Sequence, residues 1–205
     1  GKVDIIHAHD WLVAYTSRVL KHVYTTPLIC TIHATEYGRN QGIHTDLQRY
    51  INGIEWWLTY ESWKVICNSY YMKNEIISIF QLPEDKVYVV PNGVSSDKFI
   101  RIEKDFSFRR KFAHDNEKII FFVGRLVQEK GVHILLDAAP KIIYHYNDVK
   151  FVIVGKGPQL DDLKAKADCM GIGNRFYFTG YVSDEDLKQF YGCADIAVFP
   201  SLYEP

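Results

Sequence analysis

The sequence predicts an α/β protein of two Rossmann-like domains, each built on a parallel sheet. Three observations carry this. Short apolar runs recur along the chain mostly without polar alternation, as strands buried on both faces require. Longer amphipathic stretches separate them, and strand–helix–strand order implies parallel pairing with helices on both faces. A turn-rich break at Val90-Pro91-Asn92-Gly93-Val94-Ser95-Ser96-Asp97 leads into a charged patch, Arg101–Lys111, and fresh alternation starts at Lys118. We place a domain boundary near residue 100, giving domains over 1–100 and 101–205.

The elements follow in order. The first strand is expected over Val3–Ala8, with a helix at 11–23 and Asp10 as its N-cap. Pro27–His33 is the second strand. The helix at 46–62 carries Trp56 and Trp57, which with the nearby Trp63 read as core packing, a carbohydrate-stacking platform being the other reading. Lys64–Cys67, a helix at 70–79 and Val87–Val90 complete the first domain. In the second, strands at Lys118–Val123, Lys150–Val154, Arg175–Phe178 and Asp195–Phe199 alternate with helices at 133–146, 158–170 and 184–192. Ile134, Leu135, Ala138 and Ile142 recur at helical spacing, as do Leu160, Leu163 and Ala167. Pro140 should kink or shorten its helix. Ser183 resembles an N-cap ahead of an acidic first turn.

Composition narrows the function classes. Lys+Arg 24 against Asp+Glu 25 gives a net charge of -1. That balance excludes a generally basic nucleic-acid binder and an acidic disordered tail. No apolar run reaches the roughly 18 residues of a spanning helix. No secretory signal opens the chain. Cys30, Cys67, Cys169 and Cys193 lack paired spacing and read as reduced, mostly buried thiols of a cytoplasmic protein, not as a disulfide framework or metal site. The chain starts within an α/β alternation and stops at Glu204-Pro205 after a strand and a turn, so it reads as an internal fragment.

Ligands of open parallel sheets bind at the carboxyl ends of the strands. The loop Gly124-Arg125-Leu126-Val127-Gln128-Glu129-Lys130-Gly131 brings two cations to one strand end, ahead of a helix. A diphosphate would be held there by Arg125, Lys130 and the helix amino terminus. A solvated charged loop is the alternative, and no P-loop pattern is present. Gly155-Lys156-Gly157-Pro158 suits close backbone approach to an anion, or is a structural turn. His7 and His9 should share a strand face. They read as ligand-bonding histidines or as satisfied structural ones, a metal pair lacking an obvious third ligand. Thr35, Glu36 and Arg39 put polar groups at the second strand end, either for a ligand or as an internal Glu36–Arg39 pair. Glu204 is a carboxylate at the last strand end. Asn92-Gly93 reads first as a tight turn.

Six segments in register resemble the retaining glycosyltransferases of family 4. They are His7-Ala8-His9-Asp10-Trp11, Val90-Pro91-Asn92-Gly93-Val94, Gly124-Arg125…Glu129-Lys130-Gly131, Val154-Gly155-Lys156-Gly157-Pro158, Phe178-Thr179-Gly180-Tyr181 and Pro200-Ser201…Tyr203-Glu204-Pro205. Thr31–Arg39, with Glu55-Trp56-Trp57 and Tyr60-Glu61, is most similar to the glycogen-synthase-like branch.

The resemblance implies a GT-B fold, with 1–100 the later part of an acceptor-side domain and 101–205 the earlier part of a nucleotide-sugar domain. It implies glucose transfer from ADP- or UDP-glucose to an α-glucan or glucose 1-phosphate, with retention at the anomeric carbon. The proposed route is front-face, through an oxocarbenium-like state, with the leaving phosphate able to deprotonate the acceptor. Arg125 and Lys130 would hold the donor diphosphate, His9 would touch the transferred sugar, and Glu204 would match the first carboxylate of the EX7E motif. Tyr181 would lie by the base, Gly124, Gly155 and Gly157 would border the nucleotide, and Asn92 would sit near the donor. No metal or cofactor is implied, because the two cations supply the charge a divalent ion would bring. No nucleic-acid partner is implied.

The second EX7E glutamate and the family's amino-terminal glycine-rich loop are not in this sequence, so little or no transfer activity is expected of the 205 residues alone. A lipid or cell-wall acceptor is the runner-up. The absence of a strongly basic amphipathic helix at 11–23 or 46–62 disfavours it and a membrane partner. An epimerase of the same fold and a silent nucleotide-sugar-binding module are the remaining alternatives.

Overall fold

The computed structural model of the chain describes residues 3–95 and 102–205. Residues 1–94 and 95–204 form two compact units. The boundary expected near residue 100 falls on residues 96–101, outside the described ones.

In the first unit, β1 (Ile6–His9), β2 (Leu28–Ile32), β3 (Lys64–Cys67) and β4 (Val87–Val89) form a parallel sheet in the order β1-β2-β3-β4. The connecting helices are α1 (Ala14–Tyr24), α2 (Glu36–Asn40), α3 (Asp46–Glu61) and α4 (Tyr70–Phe80). Every crossover advances one strand in the same direction. Right-handed crossovers of that kind place α1, α3 and α4 on one face of the sheet. Cys30, Ile32, Val65 and Cys67 are accordingly fully buried, whereas Tyr88 on the other face is half exposed. Among the described residues this unit therefore has helices on one face, not on both as expected.

Two expectations in this unit are corrected. Trp56 is 45% and Trp63 64% exposed, so neither is core. The buried face of α3 is Ile51, Ile54, Glu55, Leu58 and Thr59, and Trp56 lies about 100° further round the helix than Glu55. Asp10 does not cap a helix with its side chain; its carboxylate accepts from the His33 amide at 2.9 Å instead.

In the second unit, β5 (Lys118–Val123), β6 (Val149–Val154), β7 (Phe176–Gly180) and β8 (Ile196–Ala197) are parallel in the order β7-β6-β5-β8. Alternate side chains of β5 and β6 feed two cores. Ile120, Phe122, Phe151 and Ile153 pack with residues of α6 (Val132–His145) and α7 (Leu160–Cys169). Ile119, Phe121, Val152 and Val154 pack with residues of α5 (Phe106–Arg109) and α8 (Asp184–Cys193). The chain steps from β5 to β6 to β7, then crosses back to lay β8 on the far side of β5. That reversal makes a topological switch point between β5 and β8.

Pro140 sits inside α6 without shortening it. It lies on the exposed face, while Val132, Leu135, Leu136 and Ala139 anchor the opposite face to the core. The face expected to include Ile134 and Ala138 is rotated, and both point outward. Ser183 does cap α8, accepting from the Asp186 amide at 3.1 Å. The charged patch holds α5, capped by Asp105. Its Arg109 is buried and bonds the Cys193 carbonyl, the Glu117 carbonyl and the Asp195 carboxylate. The fold class expected, α/β with two parallel-sheet units, is the one found. Cys30, Cys67 and Cys193 are buried and Cys169 exposed, all free. Among the described residues no helix is long and apolar enough to cross a membrane.

Candidate functional site

In the second unit, the loops after β5 and β8 meet at the switch point. The Leu202 amide donates to the Glu129 carbonyl at 2.8 Å. Gly131 adopts φ +68, and a Cβ there would fall 2.0 Å from the Pro200 carbonyl oxygen. Only glycine closes these loops so tightly. This docking brings Lys130 Nζ to 2.7 Å from Glu204 Oε1. Burial alone would raise the Glu204 pKa, but hydrogen bonds from Lys130 and Ser201 outweigh it and hold the carboxyl below its usual range. Arg125 lies in the same loop, 2.8 Å from Glu129 and 69% exposed. Lys130 precedes α6, whose N-cap is Gly131 with no side-chain cap. Two cations and uncapped backbone amides thus collect at one strand end, a set that can bind an anion.

The neighbouring loops are laced to this one backbone to backbone. The Gly124 amide donates to Val154, Leu126 to Lys156, and Gly155 to Gly180, at 2.8–3.0 Å. Gly155 is at φ +136, and a Cβ on it would sit 1.9 Å from the Gly124 carbonyl oxygen. A Cβ on Gly157 would sit 2.2 Å from the Leu126 carbonyl oxygen. Both glycines therefore pack against protein backbone. Tyr181 follows β7 and is 74% exposed.

In the first unit, a polar chain crosses the carboxyl ends of β1, β2 and β3. His7 and His9 do share a face, with ring centroids 4.3 Å apart. His7 Nε2 meets Thr31 Oγ1 at 2.8 Å. Desolvation, then the neighbouring His9 and His33, lower the His7 pKa. His9 Nδ1 lies 2.9 Å from His33 Nε2, and His33 Nδ1 lies 3.1 Å from Asn68 Nδ2. Asp10, which clasps the His33 amide, holds φ 58 and ψ 178, a region almost reserved for glycine. Strain of this sort is kept where the surroundings over-determine it, often at functional ends of strands.

Thr35 caps α2 and its hydroxyl also bonds Glu75 at 2.6 Å. Glu36 and Arg39 do form the internal pair, at 3.9 Å. Beneath them Glu55 is 1% exposed, and both its oxygens accept from the Glu36 amide at 3.0 Å. Burial, only partly offset by that amide and by Arg39, pushes its pKa up to about 7.

The fold brings Gly124, Arg125, Lys130, Gly155, Gly157 and Glu204 to one end of the second sheet, with Tyr181 after the adjoining strand. His9 ends β1 and Asn92 follows β4, the strands at opposite edges of the first sheet. Sequence reasoning overlooked Asn68, His33 and the clasp by Asp10. It quoted Glu55 without seeing its burial. A signal for Glu55 existed: it sits four residues from Ile51 and three from Leu58, on the core-facing stripe of α3.

Comparison with known proteins fits this geometry. Residues 103–205 match the family model of glycosyl transferases group 1, and residues 1–98 that of glycosyltransferase family 4. An uncharacterized glycosyltransferase of Methanocaldococcus jannaschii is 41% identical over 208 residues, covering 100% of this chain and 53% of that protein. A glycogen synthase of Mycobacterium tuberculosis is 35% identical over 203 residues, covering 98% of this chain and 47% of that protein. Sucrose-phosphate synthase from Thermosynechococcus elongatus has a similar fold, with a TM-score of 0.78 at 20% identity, over 98% of this chain and 51% of that one. So does Anabaena HepE in complex with UDP-glucose, with a TM-score of 0.76 at 20% identity, over 97% of this chain and 53% of that one. The chain spans about half the length of the curated relatives it matches. With a family model over half the chain and 41% identity along all of it, this chain belongs to the group 1 glycosyl transferases.

Proposed function

We propose that this chain is part of a retaining glycosyltransferase that moves glucose from a nucleotide-glucose to an α-glucan or to glucose 1-phosphate, as glycogen-synthase-like enzymes do. The observation that carries the reading is the Lys130–Glu204 pair, with Arg125 in the same loop, at the reversal point of the second sheet. The 35% identity to a glycogen synthase supports the choice of donor sugar and acceptor.

Residues 1–94 are then the later part of the acceptor-side domain, and residues 95–204 the earlier part of the nucleotide-sugar domain. Lys130 and Arg125 hold the donor diphosphate and stabilise the charge that develops on it as the glycosidic bond breaks. Two fixed cations do there what a divalent ion does elsewhere, so the reading requires no metal. Glu204 orients the donor sugar while it keeps Lys130 in place. His9 contacts the transferred sugar. Gly124, Gly155 and Gly157 shape the nucleotide side, where their packing keeps the loops close. Tyr181 lies by the base and Asn92 near the donor. The leaving phosphate takes the proton of the acceptor hydroxyl on the same face, which gives retention.

A thermal-shift panel with ADP, UDP, GDP and ADP-glucose tests this, with Arg125→Ala and Lys130→Ala alongside. Ligand at a hundredfold over its Kd stabilises by about 2.7 kcal/mol. A shift on the order of several degrees with one base, lost in both variants, supports the donor site and names the nucleotide. A shift that survives both substitutions overturns these roles.

A further inference from the structure

We propose that Asn68 and His33 act as positioning residues that hold the proton of His9 on Nε2, so that His9 presents an N–H donor outward from the end of β1. The significance for transfer rests on the reading that His9 contacts the donor sugar; the proton relay itself does not.

The argument is one of donors and acceptors. An amide nitrogen only donates, so Asn68 Nδ2 at 3.1 Å makes His33 Nδ1 the acceptor. A neutral imidazole carries one proton, which on His33 must then sit on Nε2. His33 Nε2 lies 2.9 Å from His9 Nδ1, so His33 donates and His9 accepts. The proton of a neutral His9 is left on Nε2. His9 ends β1 and pairs with Thr31, two residues before His33, while Ile32 pairs with Cys67 immediately before His33 and Asn68, so the two rings and the amide gather at the carboxyl ends of adjacent strands. The His33 backbone is fixed independently, by its amide bond to the Asp10 carboxylate. His7 stands outside the relay, its Nε2 engaged by Thr31. A donating Nε2–H suits hydroxyl or phosphate oxygens, which accept; the opposite tautomer would offer them a lone pair.

The test is a long-range proton–nitrogen NMR spectrum of the chain carrying nitrogen-15-labelled histidine, at a pH where the rings are neutral. His9→Gln and His33→Gln assign the two signals among the eight histidines. Both rings are expected as Nε2–H tautomers. In Asn68→Asp the carboxylate only accepts, and both rings are expected to move their proton to Nδ1 once the His33 spectrum shows a neutral ring. In Asn68→Ala, which imposes no direction, His9 is expected as a mixture of tautomers. A wild-type His9 protonated on Nδ1 overturns the proposal. So does a His9 that keeps its tautomer when a neutral His33 has reversed. A merely structural role for Asn68 would change melting temperature without reversing either ring. Because no nucleotide sugar is present, this outcome is independent of the donor reading. Adding ADP-glucose or UDP-glucose afterwards tests that reading separately, through movement of the His9 Nε2 signal.

Discussion

Lys130 Nζ and Glu204 Oε1, 74 positions apart in the chain, meet at 2.7 Å where the loops after β5 and β8 close on each other. The contact exists because β8 pairs with β5 on the side away from β6. Glu204 is 61% exposed, so the pair adds only about 0–1 kcal/mol to stability. Its value is in placing a cation.

That difference is measurable. Lys130→Met should leave the melting temperature nearly unchanged but weaken pyrophosphate binding by about 10- to 100-fold, the worth of a charge-assisted hydrogen bond. Glu204→Gln should weaken it by about two- to fivefold, because Lys130 loses the partner that places it. Isothermal titration with pyrophosphate reads both, and an unchanged or tighter affinity in Glu204→Gln would contradict the arrangement.

Glu55 makes the first unit sensitive to pH. Its folded pKa is raised to about 7 from 4.5, so its contribution is fully present below pH 4.5 and is lost as pH rises through 7. Between pH 5.5 and 8 the wild type should lose about 2 kcal/mol relative to Glu55→Gln. Urea melts followed by tryptophan fluorescence check this, since Trp11, Trp56, Trp57 and Trp63 all lie in the first unit. Equal pH dependence in the two proteins would place the Glu55 pKa elsewhere.

Arg109 should behave as a structural residue of the second unit. It is 2% exposed and holds the ends of α8 and β5 together through the Cys193 carbonyl, the Glu117 carbonyl and Asp195. Asp195 in turn accepts from the Ile119 amide at 2.8 Å. Arg109→Ala leaves these acceptors buried and should cost about 3–5 kcal/mol. Circular dichroism melts should show the second unit unfolding earlier while tryptophan fluorescence keeps its transition.

Two glycines separate backbone conformation from close packing. Gly155 and Gly171 both have positive φ, but a Cβ on Gly171 meets nothing within 4 Å, whereas one on Gly155 collides with the Gly124 carbonyl. Gly171→Ala should cost about 1 kcal/mol, the conformational penalty alone. Gly155→Ala should cost clearly more and also weaken nucleotide binding, because the loop bearing Arg125 must move. Melting temperatures and a nucleotide titration on the two variants distinguish them.

Much of this protein was legible in its residues. Apolar runs such as Lys118–Val123 and Lys64–Cys67 were strands from end to end, because β-branched and aromatic runs of that length have few other ways to be buried. Ser183 was a visible cap, and the glycines and cations of Gly124–Gly131 marked the loop of the candidate site. These are properties a segment carries with it. The order β7-β6-β5-β8, the meeting of Lys130 with Glu204, the partners of buried Arg109, and the chain from Asn68 through His33 to His9 were not legible in that way. Each joins groups far apart in sequence, and its partner is chosen by which strand ends become neighbours when the sheets form. Local pattern determined the elements; sheet order and helix register, set by burial of the whole unit, decided which polar groups face one another.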